Sequence, residues 1–199
     1  TRKVKKPVPP PAIHAPQTAD QPIREDRLMD VLHGFGEYPA KYRKYIWRQL
    51  LRLPENFEAY NALLAKGTHS SYARLNERFP LKSRKILRIF QRNLSALAHW
   101  APIFGELPYL PQLAFPIIKY YENSPFVSFE ILMTFLTNWC QQWFDFFPNP
   151  PINVLSMVDN ILAHHDPTLY KHLYVHKVNS QVYAWPMLTT MFSEVFTEA

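Results

Sequence analysis

Three arginines at a helical spacing are the residues of this chain best suited to act on a partner. Arg84, Arg88 and Arg92 recur every four residues, so in a helix their side chains would lie along one face. Lys85 lies beside them. A guanidinium carries a permanent charge and a rigid fork of donors, which suits it to carboxylate or phosphate groups. The same spacing is also typical of a solvated face, so the pattern alone leaves both interpretations open.

Other signatures of catalysis or metal binding are missing from the sequence. It contains no Gly-rich phosphate loop, no His-Glu-x-x-His motif and no Gly-x-Ser-x-Gly motif. His164 and His165 precede Asp166, but adjacent helical residues point about 100° apart and cannot easily share an ion. The sequence therefore predicts no metal and no cofactor, and it shows no enzymatic signature of its own.

A helix predicted over residues 82–100 must position the arginines. Its apolar residues form a stripe on a different face, made of Ile86, Ile89, Phe90, Leu94 and Leu97. Such a stripe buries one side of a helix against a core and leaves the opposite side to solvent. Arg92 is therefore expected on the exposed side of an anchored helix.

The composition favours an all-α fold. The 199 residues are 47% hydrophobic and 15% aromatic, which is enough to bury a core of one or two lobes. Only four glycines occur, too few for the turns of a protein with many strands. Apolar residues spaced three or four apart, interrupted by prolines, predict about eight or nine short helices. The longest is predicted over 126–147, and its polar residues argue against a membrane span.

The two ends of the chain differ from the middle. Residues 1–22 are rich in proline and hold four basic residues within the first six, so they are predicted to form an extended linker. Contact of this basic tail with an anionic membrane or nucleic acid is the alternative. Residues 23–199 are predicted to form the helical domain, and since the chain stops inside an apparently helical pattern, it is predicted to be a fragment of something longer. The single cysteine, Cys140, lies in an apolar stretch and is predicted to be a buried structural thiol.

Three segments, in order, resemble the TBC domain of Rab GTPase-activating proteins. The first is KYRKYIWRQLL at 41–51, which is similar to the family's opening helix with its buried Trp and paired leucines. The second is ILRIFQR at 86–92, at the place of the family's Ile-x-x-Asp-x-x-Arg motif. The third is DPTLYKHL at 166–173, followed by YAW at 183–185. The resemblance covers about residue 37 to the end, and it implies a multi-helical domain.

The resemblance also implies how such a domain would act. TBC domains stimulate GTP hydrolysis by a Rab GTPase with an arginine finger and a glutamine finger, so GTP and Mg²⁺ belong to the partner. Arg92 matches the arginine. Gln112, in the segment YLPQLA at 109–114, is the nearest match to the glutamine of the family's Tyr-x-Gln-Gly-Met motif.

Two departures from the family's pattern decide which function is expected. Ile89 replaces the family's Asp, and the segment around Gln112 has one extra residue and lacks the Gly and Met. The favoured interpretation is a protein-interaction scaffold with degenerate Rab-activating motifs; the alternative is an active GTPase-activating domain. A nucleic-acid or membrane-surface binder is a third interpretation, although no nucleic acid is expected among the partners.

Further details resemble a divergent branch of the family that carries WD repeats upstream and is linked to centriolar satellites and cilia. They are LSALAHW at 94–100 and FPNPPIN at 147–153. They imply a cytoplasmic protein at the centrosome, centriolar satellites or ciliary base. Its partners would then include centrosomal or ciliary proteins besides a Rab.

Overall fold

Capping residues and prolines divide the chain into short helices. The computed structural model describes residues 25–195, and in that range it contains twelve α-helices, one 3₁₀ turn and no strand. The all-α prediction is confirmed. No helix in this range has both the length and the apolar content required to cross a bilayer. The predicted linker at 1–22 lies outside the described residues, and the predicted domain boundary at residue 23 stays a prediction.

The chain divides into two compact units, residues 1–53 and 54–199. The described part of the first unit holds α1 (Glu25–Phe35) and α2 (Ala40–Leu50). Helix α1 ends where Gly36 adopts a φ of 74°, a left-handed conformation that glycine accepts without steric cost. Arg43, near the start of α2, donates from its guanidinium to two residues that precede the helix. The acceptors are the carbonyl oxygen of Tyr38 at 3.1 Å and the carboxylate of Glu37 at 3.0 Å. These contacts fix the approach of the chain to α2.

The second unit holds the other helices of the described chain. They are α3 (Phe57–Ala65), α4 (Leu75–Arg78), α5 (Arg84–Trp100), α6 (Ile103–Glu106), α7 (Leu110–Tyr120), α8 (Pro125–Asn138), α9 (Gln141–Phe144), α10 (Ile152–His165), α11 (Pro167–Val175) and α12 (Ser180–Thr189). The 3₁₀ turn, Ser70–Tyr72, precedes α4. Asp166 caps α11 as its carboxylate accepts a hydrogen bond from the amide of Leu169 at 2.9 Å.

Helix α5 is the centre of the second unit. It is 17 residues long, and α3, α6, α7 and α8 all pack against it. Ser83 caps its start, with Oγ accepting from the amide of Ile86 at 3.3 Å. Phe90, Leu94 and Leu97 are fully buried, and beyond Asn93 the helix is enclosed as far as Ala98. The predicted apolar stripe thus becomes the core, which leaves solvent access mainly to the first half of the helix.

The prediction of one long helix over 126–147 is wrong. Helix α8 ends at Asn138, and a separate short helix, α9, begins at Gln141. The backbone leaves the helical path at Cys140, where φ is −104° and ψ is 6°. This turn allows Trp143 to be buried beside Trp185 and Tyr109, with ring centroids 5.1 and 6.1 Å away. Aromatic burial outweighs the continuation of the helix.

Four prolines between residues 102 and 116 do not keep the chain from forming helices. They are Pro102, Pro108, Pro111 and Pro116, and the passage contains α6 and α7. Pro111 lies in the first turn of α7, where a missing amide hydrogen costs nothing. The last helix of the described residues, α12, ends at Thr189. Met191 and Phe192 have φ values of 51° and 59°, so the helix cannot continue through them.

Candidate functional site

The exposed face of α5 carries the predicted arginines. Arg84, Arg88 and Arg92 are all solvent-exposed. None of them makes a hydrogen bond or ion pair with another residue of the described part of the chain. Lys85 differs, because its Nζ donates to Asn123 Oδ1 at 2.7 Å and lies 3.9 Å from a Glu122 oxygen. The guanidinium of Arg92 is thus available to a partner, and its predicted exposure is confirmed.

A buried hydrogen-bond network centred on Asn93 holds the backbone beside Arg92. Asn93 has 0% exposure. Its Nδ2 donates to the carbonyl oxygen of Pro125 at 3.0 Å and to Ser128 Oγ at 2.8 Å. The hydroxyl of Tyr60 donates to Asn93 Oδ1 at 2.8 Å. One side chain therefore connects α5 to α3 and α8 at the position next to the exposed arginine.

Aromatic packing encloses this network. The ring of Tyr60 lies 4.9 Å from that of Phe129 and 5.5 Å from that of Phe126. Burial raises the pKa of the Tyr60 hydroxyl, and the positive charge of Arg92 acts in the opposite direction. Tyr60 thus remains a neutral hydrogen-bond donor to Asn93, and the charge of Arg92 acts on its hydroxyl.

The start of α3 is tied to α8 by a second polar contact. The buried carboxylate of Glu130 accepts a hydrogen bond from the amide of Asn56 at 2.8 Å. The side chain of Asn56 in turn caps α3, accepting from the amide of Ala59 at 2.9 Å. Together with the Asn93 network, this contact holds α3 against α8 and so supports α5 from one side.

Ile89 lies inside the core. Its side chain is only 7% exposed, one turn before Arg92. At this position the resembled family has an aspartate, whose carboxylate would need a polar partner or solvent. The burial of Ile89 shows that apolar packing occupies this place in the present chain.

Gln112 lies on the first turn of α7 and is exposed. When its amide is oriented so that donors face acceptors, the side-chain nitrogen lies 3.2 Å from the carbonyl oxygens of Pro108 and Tyr109. The side chain therefore folds back onto the turn that precedes its own helix. No hydrogen bond or ion pair within residues 25–195 joins Gln112 to Arg92. Whether Gln112 acts together with Arg92 stays a prediction.

Asn93, Tyr60 and Ser128 are not among the site residues predicted from the sequence. Asn93 follows Arg92 directly and points to the apolar side of α5, between core residues. An amide side chain at an apolar position of a helix needs hydrogen-bond partners once buried. This violation of the apolar pattern was the available signal, but its partners lie more than thirty residues away in sequence.

Metal ligands do not cluster in the described residues. No group of three or more His, Cys, Asp or Glu side chains within residues 25–195 could hold an ion. The rings of His164 and His165 are exposed and meet edge to face, with centroids 5.1 Å apart.

Cys140 is predicted to resist thiol reagents in the native protein. It is 1% exposed, and burial raises the pKa of its thiol to about 12, so the reactive thiolate is scarce at pH 8. We expect labelling by a disulfide reagent at pH 8 to be at least about 100-fold slower in buffer than in denaturant. Absorbance of the released chromophore measures the rate, and Cys140→Ser supplies the blank. Equal rates in the two solvents would contradict the burial of the thiol.

Comparison with known proteins places the chain in a family. Residues 40–198 match the Rab-GTPase-TBC domain. The chain is 61% identical over 175 residues to a protein of Xenopus laevis called TBC1 domain family member 31. The proteins of the same name from Mus musculus and Homo sapiens are 55% and 54% identical over the same length.

These relatives are much longer than the present chain. Each alignment covers 88% of this chain but only 16% of the Xenopus laevis protein, 18% of the mouse protein and 16% of the human protein. No solved structure matches the chain. The similarity therefore concerns the helical domain, and the activities of the longer proteins are a separate question.

Proposed function

This chain belongs to the Rab-GTPase-TBC domain family, and we propose that it is an interaction scaffold that engages a Rab-family GTPase through the exposed face of α5. In this proposal its GTPase-activating motifs are degenerate. The domain therefore binds the GTPase but accelerates GTP hydrolysis little. The observation that carries the proposal is the burial of Ile89 at the place of the family's aspartate. A partner GTPase supplies GTP and Mg²⁺, and this chain supplies the surface.

The chemistry of GTP hydrolysis explains why degenerate motifs matter. Charge develops on the transferred phosphoryl group, and an arginine offered by a second protein can raise the rate about 10³–10⁵-fold. A glutamine that orients the attacking water is a separate requirement, because charge neutralisation alone leaves the nucleophile unplaced. Arg92 is suited to neutralising the charge on the transferred phosphoryl group.

Gln112 is poorly placed to orient the attacking water. When its amide is oriented so that donors face acceptors, the side-chain nitrogen of Gln112 lies 3.2 Å from the carbonyl oxygens of Pro108 and Tyr109. Pro111, one residue earlier, is buried and fixes the local backbone, which limits how far Gln112 can be redirected. Both features support a scaffold in which an accessible arginine remains but the positioning of water is weak.

A second candidate function is an active GTPase-activating domain. The observation that favours it is the exposure of Arg92 without an ion pair to any described residue. In this case Arg92 neutralises the phosphate charge, and either Gln112 or the GTPase's own glutamine orients the water. This candidate needs no resident cofactor in the present chain.

Single-turnover GTP hydrolysis by a panel of Rab GTPases separates the two candidates. For the scaffold we expect acceleration below about 10-fold, because water positioning is lost even where the arginine is present. The variants Arg92→Ala and Arg92→Lys should then differ from the unmodified domain by less than about 2-fold. The lysine variant keeps the charge but not the planar fork of donors.

The opposite result would establish the second candidate. Acceleration above about 100-fold for one Rab, lost in both Arg92 variants, would mean that Arg92 acts as a finger and that the scaffold proposal is wrong. Binding of the same Rab, measured without hydrolysis on a GTP analogue, serves as the control for docking.

We place this scaffold at the centrosome, at centriolar satellites or at the ciliary base. Support for the location comes from the resemblance of residues 94–100 and 147–153 to the divergent branch linked to those structures. Other partners would then be centrosomal or ciliary proteins, bound independently of the nucleotide state of a GTPase.

A further inference from the structure

The segment from residue 74 to 92, which contains α4 and the first half of α5, carries exposed cations along its length. We call it the basic face and define it by its exposed cations: Arg74, Arg78, Lys82, Arg84, Arg88 and Arg92. Glu77 is the sole acidic residue between positions 74 and 92. Ordinary solvated faces mix both signs of charge, so this concentration of one sign favours contact with an anionic partner.

The described residues leave this charge uncompensated. None of the six cations is in an ion pair with a carboxylate in the described part of the chain. The guanidinium of Arg78 lies 5.9 Å from the centre of the Phe79 ring, a contact that leaves its charge intact. By contrast, Lys85 on the flank of the same helix approaches Glu122. The basic face is therefore free to attract charge from outside the domain.

The geometry of α5 links this face to the site around Arg92. Four residues of an α-helix rise about 6 Å, so Arg84 and Arg92 lie about 12 Å apart along one side. A protein–protein interface of ordinary size covers about 800 Å² on each partner, a patch roughly 30 Å across, which is wider than this separation. A GTPase that brings its nucleotide to Arg92 must also cover Arg88 and Arg84.

We propose that the basic face is an electrostatic docking surface for a carboxylate-rich surface of the GTPase beside its nucleotide. The inference rests on the proposed engagement of a Rab-family GTPase and names the chemistry of its contact surface. Five of the six cations are arginines, whose planar forks bind carboxylates in bidentate fashion. The face thereby selects among GTPases by the acidity of the surface around the nucleotide.

A membrane is a poorer fit for this face. Peripheral membrane binding usually adds the insertion of large apolar side chains to the attraction of basic residues. Among the described residues, no large exposed apolar side chain lies between positions 58 and 99, which includes the whole basic face. The charge is thus presented without the apolar anchors that would hold it in a bilayer.

The expected consequence is faster association. Charges at the rim of an interface mainly accelerate encounter, and their effect falls as salt screens them. Arg88 and Arg84 lie about one and two turns from Arg92, so they should steer the GTPase without entering the chemistry. Their contribution should appear in the association rate, while the dissociation rate changes little.

The test measures association of the folded domain with a panel of Rab GTPases loaded with a non-hydrolysable GTP analogue, at 50 and 300 mM salt. The double variant Arg84→Glu/Arg88→Glu is compared with Lys66→Glu/Lys171→Glu, which changes the net charge equally at exposed sites outside the basic face. We expect the first variant to slow association about 10-fold or more at 50 mM salt and much less at 300 mM. The control should stay within about 2-fold.

Several outcomes would overturn the inference. They are equal slowing by the control variant, a GTPase that binds with no sensitivity to the Arg84/Arg88 reversal, or no binding of any GTPase by the unmodified domain. Loss of binding to phosphatidylserine vesicles in the double variant, with GTPase association unchanged, would assign the face to membranes instead. The hydrolysis experiment with Arg92 variants is read independently. Strong Arg92-dependent acceleration would therefore remove the scaffold proposal and leave this inference standing.

Discussion

Replacing Asn93 by alanine is expected to lower the free energy of unfolding by about 3 kcal/mol, because each lost hydrogen bond contributes about 1 kcal/mol and a small cavity remains. The side chain makes three hydrogen bonds, to Tyr60, Ser128 and the Pro125 carbonyl. After the change, the buried hydroxyl of Tyr60 loses its acceptor. Urea denaturation followed by far-UV circular dichroism measures the difference.

Two control variants test whether the lost stability comes from the buried hydrogen bonds. Asn61→Ala removes the same side chain from an exposed position of α3 and should change stability by less than about 0.5 kcal/mol. Tyr60→Phe removes one member of the network and should cost about 1 kcal/mol. The double variant of Tyr60 and Asn93 should cost less than the sum of the two, because both changes break one shared bond. A cost below about 1 kcal/mol for Asn93→Ala would mean that packing alone holds these helices.

Restoring the family's aspartate by the change Ile89→Asp is expected to destabilise the domain by about 4 kcal/mol at pH 7, because a carboxylate without a partner would enter an apolar site. Ile89 is 7% exposed in the core of the second unit. We therefore expect no gain in GTPase activation from the restored motif. Denaturation curves and single-turnover hydrolysis, measured on the same preparation, check both parts.

A neutral variant separates charge from shape. Ile89→Asn has nearly the same size as Ile89→Asp but cannot ionise. Burial should raise the pKa of a carboxyl at this position, so the folded variant would hold its proton at a pH where the unfolded chain releases it. The stability gap between the aspartate and asparagine variants should accordingly widen as the pH rises from 5 to 7. A constant gap, or an aspartate variant as stable as the unmodified domain, would show that a polar partner exists.

Local patterns predicted the central helix of the site well. Apolar residues spaced three and four apart predicted a helix over 82–100, and α5 spans Arg84–Trp100. The same pattern placed Arg92 outside the apolar stripe, and the structure has it exposed. These predictions succeed because periodicity depends on residues within one or two turns of each other.

Contacts between distant segments were beyond such patterns. The break after Asn138 follows from the burial of Trp143 beside Trp185, a residue on a helix far along the chain. The partners of Asn93 likewise belong to α3 and α8. Tertiary contact decides each of these features, so neither helix propensity nor motif spacing could supply them.

The first turn of α5 places two positive charges at the positive end of the helix dipole, which is unfavourable. Arg84 and Lys85 follow the cap at Ser83, and this turn contains no acidic side chain. The unpaired amides at the beginning of a helix already carry a partial positive charge, so the two cations oppose the macrodipole by several tenths of a kcal/mol each. An anion arriving here would relieve that repulsion. Part of the binding free energy would then come from relief of an electrostatic repulsion already present in the unbound domain.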